Sequence, residues 1–189
     1  KLWDLKISLS DLIEIGKNLG SDVPFFFFGG TALGIDRGTE ITEFSDVTEK
    51  FILVITPNIS ISTPLAFAKF NAPRLTKLSS KSILKICSDE AEKLFSGQTV
   101  PLNDFESVIF EIEPELKRVK EALLSYGAKR ALMSGSGASI FGIFENEETR
   151  QATLKALNGE ITWRKFAVAT VSRNNYREAL KNVLDVVSD

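Results

Sequence analysis

Residues Ala131–Phe144 read ALMSGSGASIFGIF. Apolar stretches stand on both sides of a short centre of Gly and Ser, which is typical of two β-strands joined by a tight loop. Gly135 and Gly137 let the backbone adopt positive φ angles and approach a ligand closely, and successive amides of such a loop can hold an anion. A hairpin turn in which small residues are simply convenient explains the same composition, and composition alone favours that turn.

This loop differs from two common phosphate-binding motifs. It lacks the Gly-Lys-Ser/Thr ending of a P-loop, and it leads into a strand rather than a helix. The strand that follows also excludes the dinucleotide-binding fingerprint, whose glycines open a helix.

The segments around the loop predict an α+β fold, a two-layer α/β sandwich. The apolar run over 51–56, ended by Pro57, is typical of a buried strand. A helix starting at Pro114, with an apolar face that includes Tyr126, leads to the loop's two strands, and a helix capped by Asn146 follows it. With a last strand over 163–171 the order is β-α-β-β-α-β, the ferredoxin-like arrangement. Further helices are predicted over 63–70, 80–95 and 175–187.

The first part of the chain has a different pattern. Ser8 and Asp11 have the spacing of a capping box that starts a helix, and Gly20 is suited to end it. The phenylalanines of Phe25–Phe28 are compatible with a buried strand or a short buried helical turn. Two strands, over 31–35 and 39–44, are predicted on either side of the turn Asp36-Arg37-Gly38. We place a domain boundary near residue 48, which gives domains 1–48 and 49–189.

Composition narrows the function classes. The 189 residues carry a net charge of -2 and lack a basic stripe, which argues against nucleic acid as the partner. Apolar runs fall far short of the roughly 20 residues that span a bilayer, so no membrane partner is expected. The single cysteine, Cys87, is typical of a reducing cytoplasm. Because histidine is absent from the sequence, a Ser-His-Asp triad or a histidine-ligated zinc cannot form within it.

Asp22 is a candidate catalytic carboxylate. It precedes Pro24 and the phenylalanine run, which would lower the dielectric constant around a carboxylate at the floor of a pocket. An N-cap role at the start of a helix is the commoner use of an aspartate in this position.

Two further polar segments stand at predicted helix starts. Ser62 or Thr63 can cap the helix that Pro64 begins, and the same turn can face a ligand. In Asn103-Asp104-Phe105-Glu106 an amide and two carboxylates cluster, which we interpret as a solvated helix entry.

Taken in order, these segments resemble the galactokinase, homoserine, mevalonate and phosphomevalonate (GHMP) kinase superfamily, whose third signature is similar to ALMSGSGASIFGIF. More narrowly, they resemble its branch that phosphorylates a cytidine diphosphate ester of methylerythritol. The segments that carry this resemblance, which runs from Leu2 to about Val171, are LGSDVPFFFFGGTALGIDRG, ISTPLAF, PLNDFE and GAKRALMSGSGASIF.

The resemblance implies a small-molecule kinase of non-mevalonate isoprenoid synthesis, which transfers the ATP γ-phosphate, with Mg²⁺, to the substrate's 2-hydroxyl. It implies that Asp22 is the catalytic base, that Thr63 and Phe67 bind the substrate, and that Gly135, Ser136 and Gly137 support the phosphate site. Residues 1–48 would then be the end of a ribosomal-protein-S5-domain-2-like, ATP-binding domain, and residues 49–189 the family's C-terminal domain.

The sequence departs from the family pattern in two places. The first signature, with its lysine, and the second, a Gly/Ser-rich loop that holds the ATP phosphates, do not occur in the 189 residues. We therefore expect the C-terminal two-thirds of such a kinase, inactive when alone. Such a piece would leave apolar surface near Val23–Phe28 uncovered, and a homodimer is one arrangement that would cover it.

Two alternatives remain. One is a homoserine- or mevalonate-type kinase of the same superfamily, which would not need aromatic residues to stack on cytosine. The other is a ferredoxin-like binding module without chemistry. Binding of RNA by such a sheet needs exposed aromatic residues on its central strands and basic surroundings, and the run over 51–56 offers little beyond Phe51.

Overall fold

The computed structural model describes residues 7–35, 38–70, 89–90, 92–93 and 101–186. These form two compact units. The first contains the described residues up to Thr48, those from Thr170 onward, and the four helical residues at 89–90 and 92–93. The second contains 49–70 and 101–169. The division of the chain into family domains at residue 48 stays a prediction.

The second unit is built on a four-stranded antiparallel sheet in the order β4-β5-β3-β6. The first strand of the unit lies between its third and fourth, as in the ferredoxin-like arrangement. The predicted α+β class and the β-α-β-β-α-β order are therefore confirmed. The strands are β3 (Ile52–Pro57), β4 (Arg130–Met133), β5 (Ile140–Ile143) and β6 (Trp163–Val168).

Helices cover one face of this sheet. Leu116, Val119 and Leu123 follow one another at helical spacing, and all three are buried in the core with Leu53 and Ile55 of the central strand. The helices are α3 (Thr63–Phe70), α4 (Phe105–Ile112), α5 (Pro114–Ser125) and α6 (Glu147–Ala156), followed by a 3₁₀ turn (Leu157–Gly159).

Glycine at position 142 brings α5 onto the sheet. A Cβ at Gly142 would lie 3.2 Å from the side chains of both Leu123 and Ala128. Gly142 pairs with the buried Leu53 across the sheet, so the missing side chain lets α5 pack closely on the centre of the core.

The described residues of the first unit include a hairpin and three helices, besides the helical residues at 89–90 and 92–93. Ser8 accepts a hydrogen bond from the Asp11 amide, which confirms the predicted helix start, and the helix ends at Gly20. The elements are α1 (Leu9–Leu19), α2 (Phe25–Phe28), β1 (Ala32–Ile35), β2 (Glu40–Glu43) and α7 (Arg173–Val186).

Several expectations require correction or fall outside the described residues. The phenylalanine run is a helical turn, a choice that periodicity could not make, and none of its four residues is buried, contrary to the expectation. Tyr126 is not on the buried face of α5, because the helix ends at Ser125 and its ring is 47% exposed. Most of the predicted helix over 80–95, including Cys87, and the turn residues 36–37 lie outside the described part of the chain. Within that part, no helix is both long and apolar enough to cross a bilayer.

Candidate functional site: a braced glycine-rich loop

The loop Ser134–Ser139 closes the antiparallel pair of β4 and β5. The Ser134 amide donates to the Ser139 carbonyl at 2.8 Å, and the Gly137 amide donates to the Ser134 carbonyl at 3.0 Å. Gly135 and Gly137 have φ angles of 56° and 96°, in the region that favours glycine. The predicted strand–loop–strand is thus present, with both glycines in conformations that explain their identity.

The two glycines face different surroundings. A Cβ at Gly137 would lie 3.1 Å from the Met133 sulfur and 3.5 Å from Ile61, so this position is packed against the protein. Within the part of the chain that the structure describes, a Cβ at Gly135 would have no neighbour within 4 Å. The Gly135 side of the loop is therefore the side that a ligand can approach.

Two pairs of hydroxyl groups attach the loop to the central strand and to α3. Thr56 Oγ1 lies 2.9 Å from Ser139 Oγ, and Thr63 Oγ1 lies 3.1 Å from Ser136 Oγ. The structure thus brings together Thr63 and Ser136, two of the residues predicted from the sequence. Phe67 also lies on α3, and its side chain is outside the described part.

Asn103 braces the loop from a third direction. Its Nδ2 donates to the carbonyls of Met133 and Gly135, both at 2.8 Å, and its Oδ1 accepts from the Phe105 amide at 3.0 Å. A planar carboxamide offers two donors and one acceptor, and here all of these groups are used.

Glu106 holds the end of β4 beside Asn103. Its Oε1 accepts from the Met133 amide at 2.8 Å, and its Oε2 pairs with Lys120. A solvated helix entry is therefore correct for the exposed Asp104 and wrong for Asn103 and Glu106. Their three-residue spacing places them on one side of a helix start, which is the sequence signal for a shared partner.

A shallow cavity of about 410 Å³ lies next to this bracket. Its lining includes Leu102, Asn103 and Phe105 as well as Leu132, Gly135 and Phe141. The open side of the loop therefore borders a partly apolar depression.

Asp22 lies in the first unit, in the turn between α1 and α2. It is not the N-cap of the phenylalanine helix, because Pro24 occupies that position and no side-chain capping bond is made. The carboxylate is exposed, so the expected low-dielectric surroundings are not found. The Asp22 side chain therefore does not cap the phenylalanine helix.

The C-terminal helix α7 holds the segment that follows Asp22. Tyr176 donates its hydroxyl to the Phe26 carbonyl at 2.9 Å, and a Cβ at Gly29 would lie 2.3 Å from the Tyr176 ring. The glycine therefore allows the ring to approach the backbone closely.

Asp46 fixes the start of the same helix. Its two oxygens accept from the amides of Arg173 at 2.8 Å and Thr31 at 3.0 Å. These backbone bonds, the first from Arg173, hold the pKa of the Asp46 carboxyl below its usual value. The Arg173 guanidinium donates in turn to the carbonyls of Thr31 and Phe44. Sequence reasoning missed this cluster, because its members lie up to 142 residues apart.

Known proteins resemble the chain in sequence and in fold. The family model described as the C-terminal part of the GHMP kinases matches residues 81–161. The 4-diphosphocytidyl-2-C-methyl-D-erythritol kinase of Syntrophus aciditrophicus is 37% identical over 171 residues, which cover 90% of this chain and 60% of the relative. The kinase of the same name from Solibacter usitatus is 34% identical over 180 residues, with 90% and 54% covered.

Solved structures show the same likeness. A crystal structure of 4-(cytidine 5'-diphospho)-2C-methyl-D-erythritol kinase is 27% identical, with a TM-score of 0.67 over 89% of this chain and 59% of the other. Homoserine kinase from Cytophaga hutchinsonii is 18% identical with a TM-score of 0.61 over 88% and 59%, which shows a shared fold alone.

The sequence matches extend over most of this chain and a smaller share of the relatives. The chain spans a little over half the length of the curated relatives that it matches. Its ferredoxin-like sheet, its glycine-rich loop and its similarity to these kinases agree, and the chain contains the C-terminal domain of the GHMP kinases.

Proposed function

We propose that this chain is part of an enzyme that uses ATP to phosphorylate the 2-hydroxyl of 4-diphosphocytidyl-2-C-methyl-D-erythritol, in non-mevalonate isoprenoid synthesis. The observation that carries this proposal is the contact between Thr63 and Ser136, which joins the turn assigned to the substrate with the loop assigned to phosphate. The names of the relatives at 37% and 34% identity support the choice of substrate.

Phosphoryl transfer needs mainly positioning and stabilisation of charge. In this proposal Gly135, Ser136 and Gly137 support the phosphate groups, Thr63 and Phe67 contact the substrate, and Asp22 orients its hydroxyl and accepts the proton. The exposure of Asp22 leaves its carboxylate accessible to a hydroxyl group.

ATP supplies the transferred group, and Mg²⁺ accompanies it. Among the described residues no group of three or more metal-ligating side chains lies together. Magnesium in kinases is commonly held by one or two carboxylates together with substrate phosphates, so a dedicated protein cage is not required. The cytoplasm, where ATP is available, is the proposed location.

A chimera tests the proposal. The part of the Syntrophus aciditrophicus relative that lies outside the match would be joined to this chain, and ATP-dependent phosphorylation followed by ³¹P NMR. We expect phosphorylation of the cytidine diphosphate ester, and a loss of about 10²–10⁴-fold in the Asp22→Asn variant, because a positioned base contributes about that much. Glu40→Gln, an exposed carboxylate of the same unit, is the control and should retain activity.

Homoserine and mevalonate would be offered to the same chimera. Turnover of either, with none of the cytidine ester, would overturn the proposed substrate. Full activity of the Asp22→Asn variant would overturn the role of Asp22 as base.

A further inference from the structure

The amide of Ser136 is one of the loop amides, with those of Gly135 and Ala138, that donate to no other group among the described residues. The two backbone bonds that close the hairpin use the amides of Ser134 and Gly137, and neither uses that of Ser136. Beside this amide, no atom of the described residues beyond the chain neighbours of Gly135 lies within 4 Å of the position of a Gly135 Cβ. Whether the amide meets a ligand in a fixed direction depends on what holds the peptide group to which it belongs.

Asn103 holds that peptide group. The bond between Gly135 and Ser136 is trans, so its carbonyl and its N–H point in opposite directions across one rigid plane. The Asn103 carboxamide donates to this carbonyl at 2.8 Å. The N–H of Ser136 must therefore point away from Asn103.

The bracket around Asn103 is itself fixed. The same Nδ2 donates to the Met133 carbonyl, and Oδ1 accepts from the Phe105 amide, which leaves the carboxamide little freedom to rotate. Glu106 accepts from the Met133 amide and pairs with Lys120, so the last residue of β4 is held on both of its peptide groups. A rigid donor costs little entropy when it meets an anion, which is the advantage of preorganisation.

We propose that Asn103 is a positioning residue for phosphate binding, which acts by holding the Gly135 carbonyl so that the Ser136 amide faces a phosphate group. The inference deepens the proposed function and rests on its assignment of the loop to phosphate. Asn103 does not touch the phosphate in this arrangement. It fixes the orientation of the Gly135–Ser136 peptide group, and this orientation sets the direction of the Ser136 N–H.

The test is a titration of the ¹⁵N-labelled chain with sodium tripolyphosphate, monitored at the amide of Ser136. In the unchanged chain this amide should shift on binding. Asn103→Ala and Asn103→Asp should weaken the affinity read at Ser136 by about tenfold, which corresponds to about 1.4 kcal/mol. The second variant keeps the Oδ1 acceptor but replaces the donor by a second acceptor and adds a negative charge, so the uncharged Asn103→Ala carries the comparison. Asp104→Asn, at the exposed neighbouring residue, is the matched control and should bind unchanged.

The outcomes separate the two proposals. If Ser136 shifts in the unchanged chain and both Asn103 variants bind as tightly, the positioning role is overturned and the phosphate role of the loop stands. If Ser136 does not shift in the unchanged chain, the phosphate role fails and the positioning role fails with it.

A second measurement does not depend on the folding of a variant. The carboxamide protons of Asn103 in the unchanged chain should exchange with solvent slowly, because both carbonyl partners protect them. Exchange at the rate of a free asparagine side chain would overturn the proposal.

Discussion

Thr63 Oγ1 lies 3.1 Å from Ser136 Oγ, so the first residue of α3 touches the middle of a loop that is 73 residues away in sequence. Either hydroxyl can donate. In the proposed function Thr63 contacts the substrate and Ser136 supports the phosphate site. A substitution at either residue should therefore alter the position of the other side chain.

A double-mutant cycle with Thr63→Val and Ser136→Ala measures this connection. Each single change removes the hydrogen bond, so the double variant should lose less stability than the sum of the two. We expect a coupling of about 0.5–1 kcal/mol in urea denaturation, the usual net value of such a bond. Strictly additive losses would show that the two hydroxyls do not interact in solution. The pair Thr63→Val and Ser139→Ala, which shares no hydrogen bond in the structure, should be additive.

The two loop glycines should tolerate alanine unequally. Gly137→Ala meets a φ angle of 96° and the Met133 sulfur at 3.1 Å, and should cost about 2–3 kcal/mol of unfolding free energy. At Gly135 the φ angle is 56°, and no described residue other than its chain neighbours lies within 4 Å of an added Cβ. Gly135→Ala should therefore cost about 1 kcal/mol of unfolding free energy. Chemical denaturation of both variants checks the order. Equal losses would contradict the assignment of Gly137 to the packed side of the loop.

The Asp46 carboxylate should stabilise the first unit in a pH-dependent way. Its pKa lies below the ordinary value of 3.8 in the folded protein, chiefly because of the Arg173 amide. A lowered folded pKa means that the stabilisation is present above pH 3.8 and is lost as the pH falls through the folded value. Asp46→Asn should therefore lower the melting temperature at pH 7 and have less effect at pH 3.

The control for this experiment is Glu40→Gln on β2, which is exposed. Its melting temperature should follow that of the unchanged chain at both pH values. An Asp46→Asn effect of the same size at pH 3 and pH 7 would show that packing, rather than charge, holds the start of α7.

The sequence predicted the architecture because the signals for it are local. The glycines of the loop, the cap at Asn146 and the proline at the start of α5 each act within a few residues of their position. The alternation and length of the apolar runs then placed the strands of the second unit in the right order. The exact ends of the strands and the exposure of Tyr126 differed from the prediction. The form of the phenylalanine run was left open, since periodicity does not discriminate between states over four residues.

The contacts that shape the site could not be predicted in the same way. Asn103 reaches Gly135 across 32 residues, and Asp46 reaches Arg173 across 127. Nothing in the local sequence distinguishes a carboxamide that binds a distant carbonyl from one that is solvated. The exposed position of Asp22 likewise depends on how the phenylalanine helix is turned, and not on its composition.

A charged cluster on α5 should make the stability of the second unit depend on pH. Glu115 accepts from Arg118 and from the Trp163 indole, Glu160 also accepts from Arg118, and the guanidinium lies 4.5 Å from the centre of the Trp163 ring. The hydrogen bonds from Arg118 are the main reason why the pKa values of the Glu115 and Glu160 carboxyls lie below their ordinary 4.5. Their contribution is therefore present above pH 4.5 and is lost as the pH falls through the folded values.

Arg118→Met tests this cluster, because it keeps an unbranched apolar stem and removes the guanidinium group with its charge. The variant should unfold more easily than the unchanged chain at pH 7, and its stability should fall less steeply below pH 4.5, since the bonds that lowered both pKa values are gone. In a Trp3→Phe background the fluorescence of Trp163, the remaining tryptophan, reports unfolding of this unit. Arg130→Met, an exposed arginine of β4, is the control. Glu115→Gln should destabilise more than Glu160→Gln, because only Glu115 also binds the indole; the reverse order would place the centre of the cluster at Glu160.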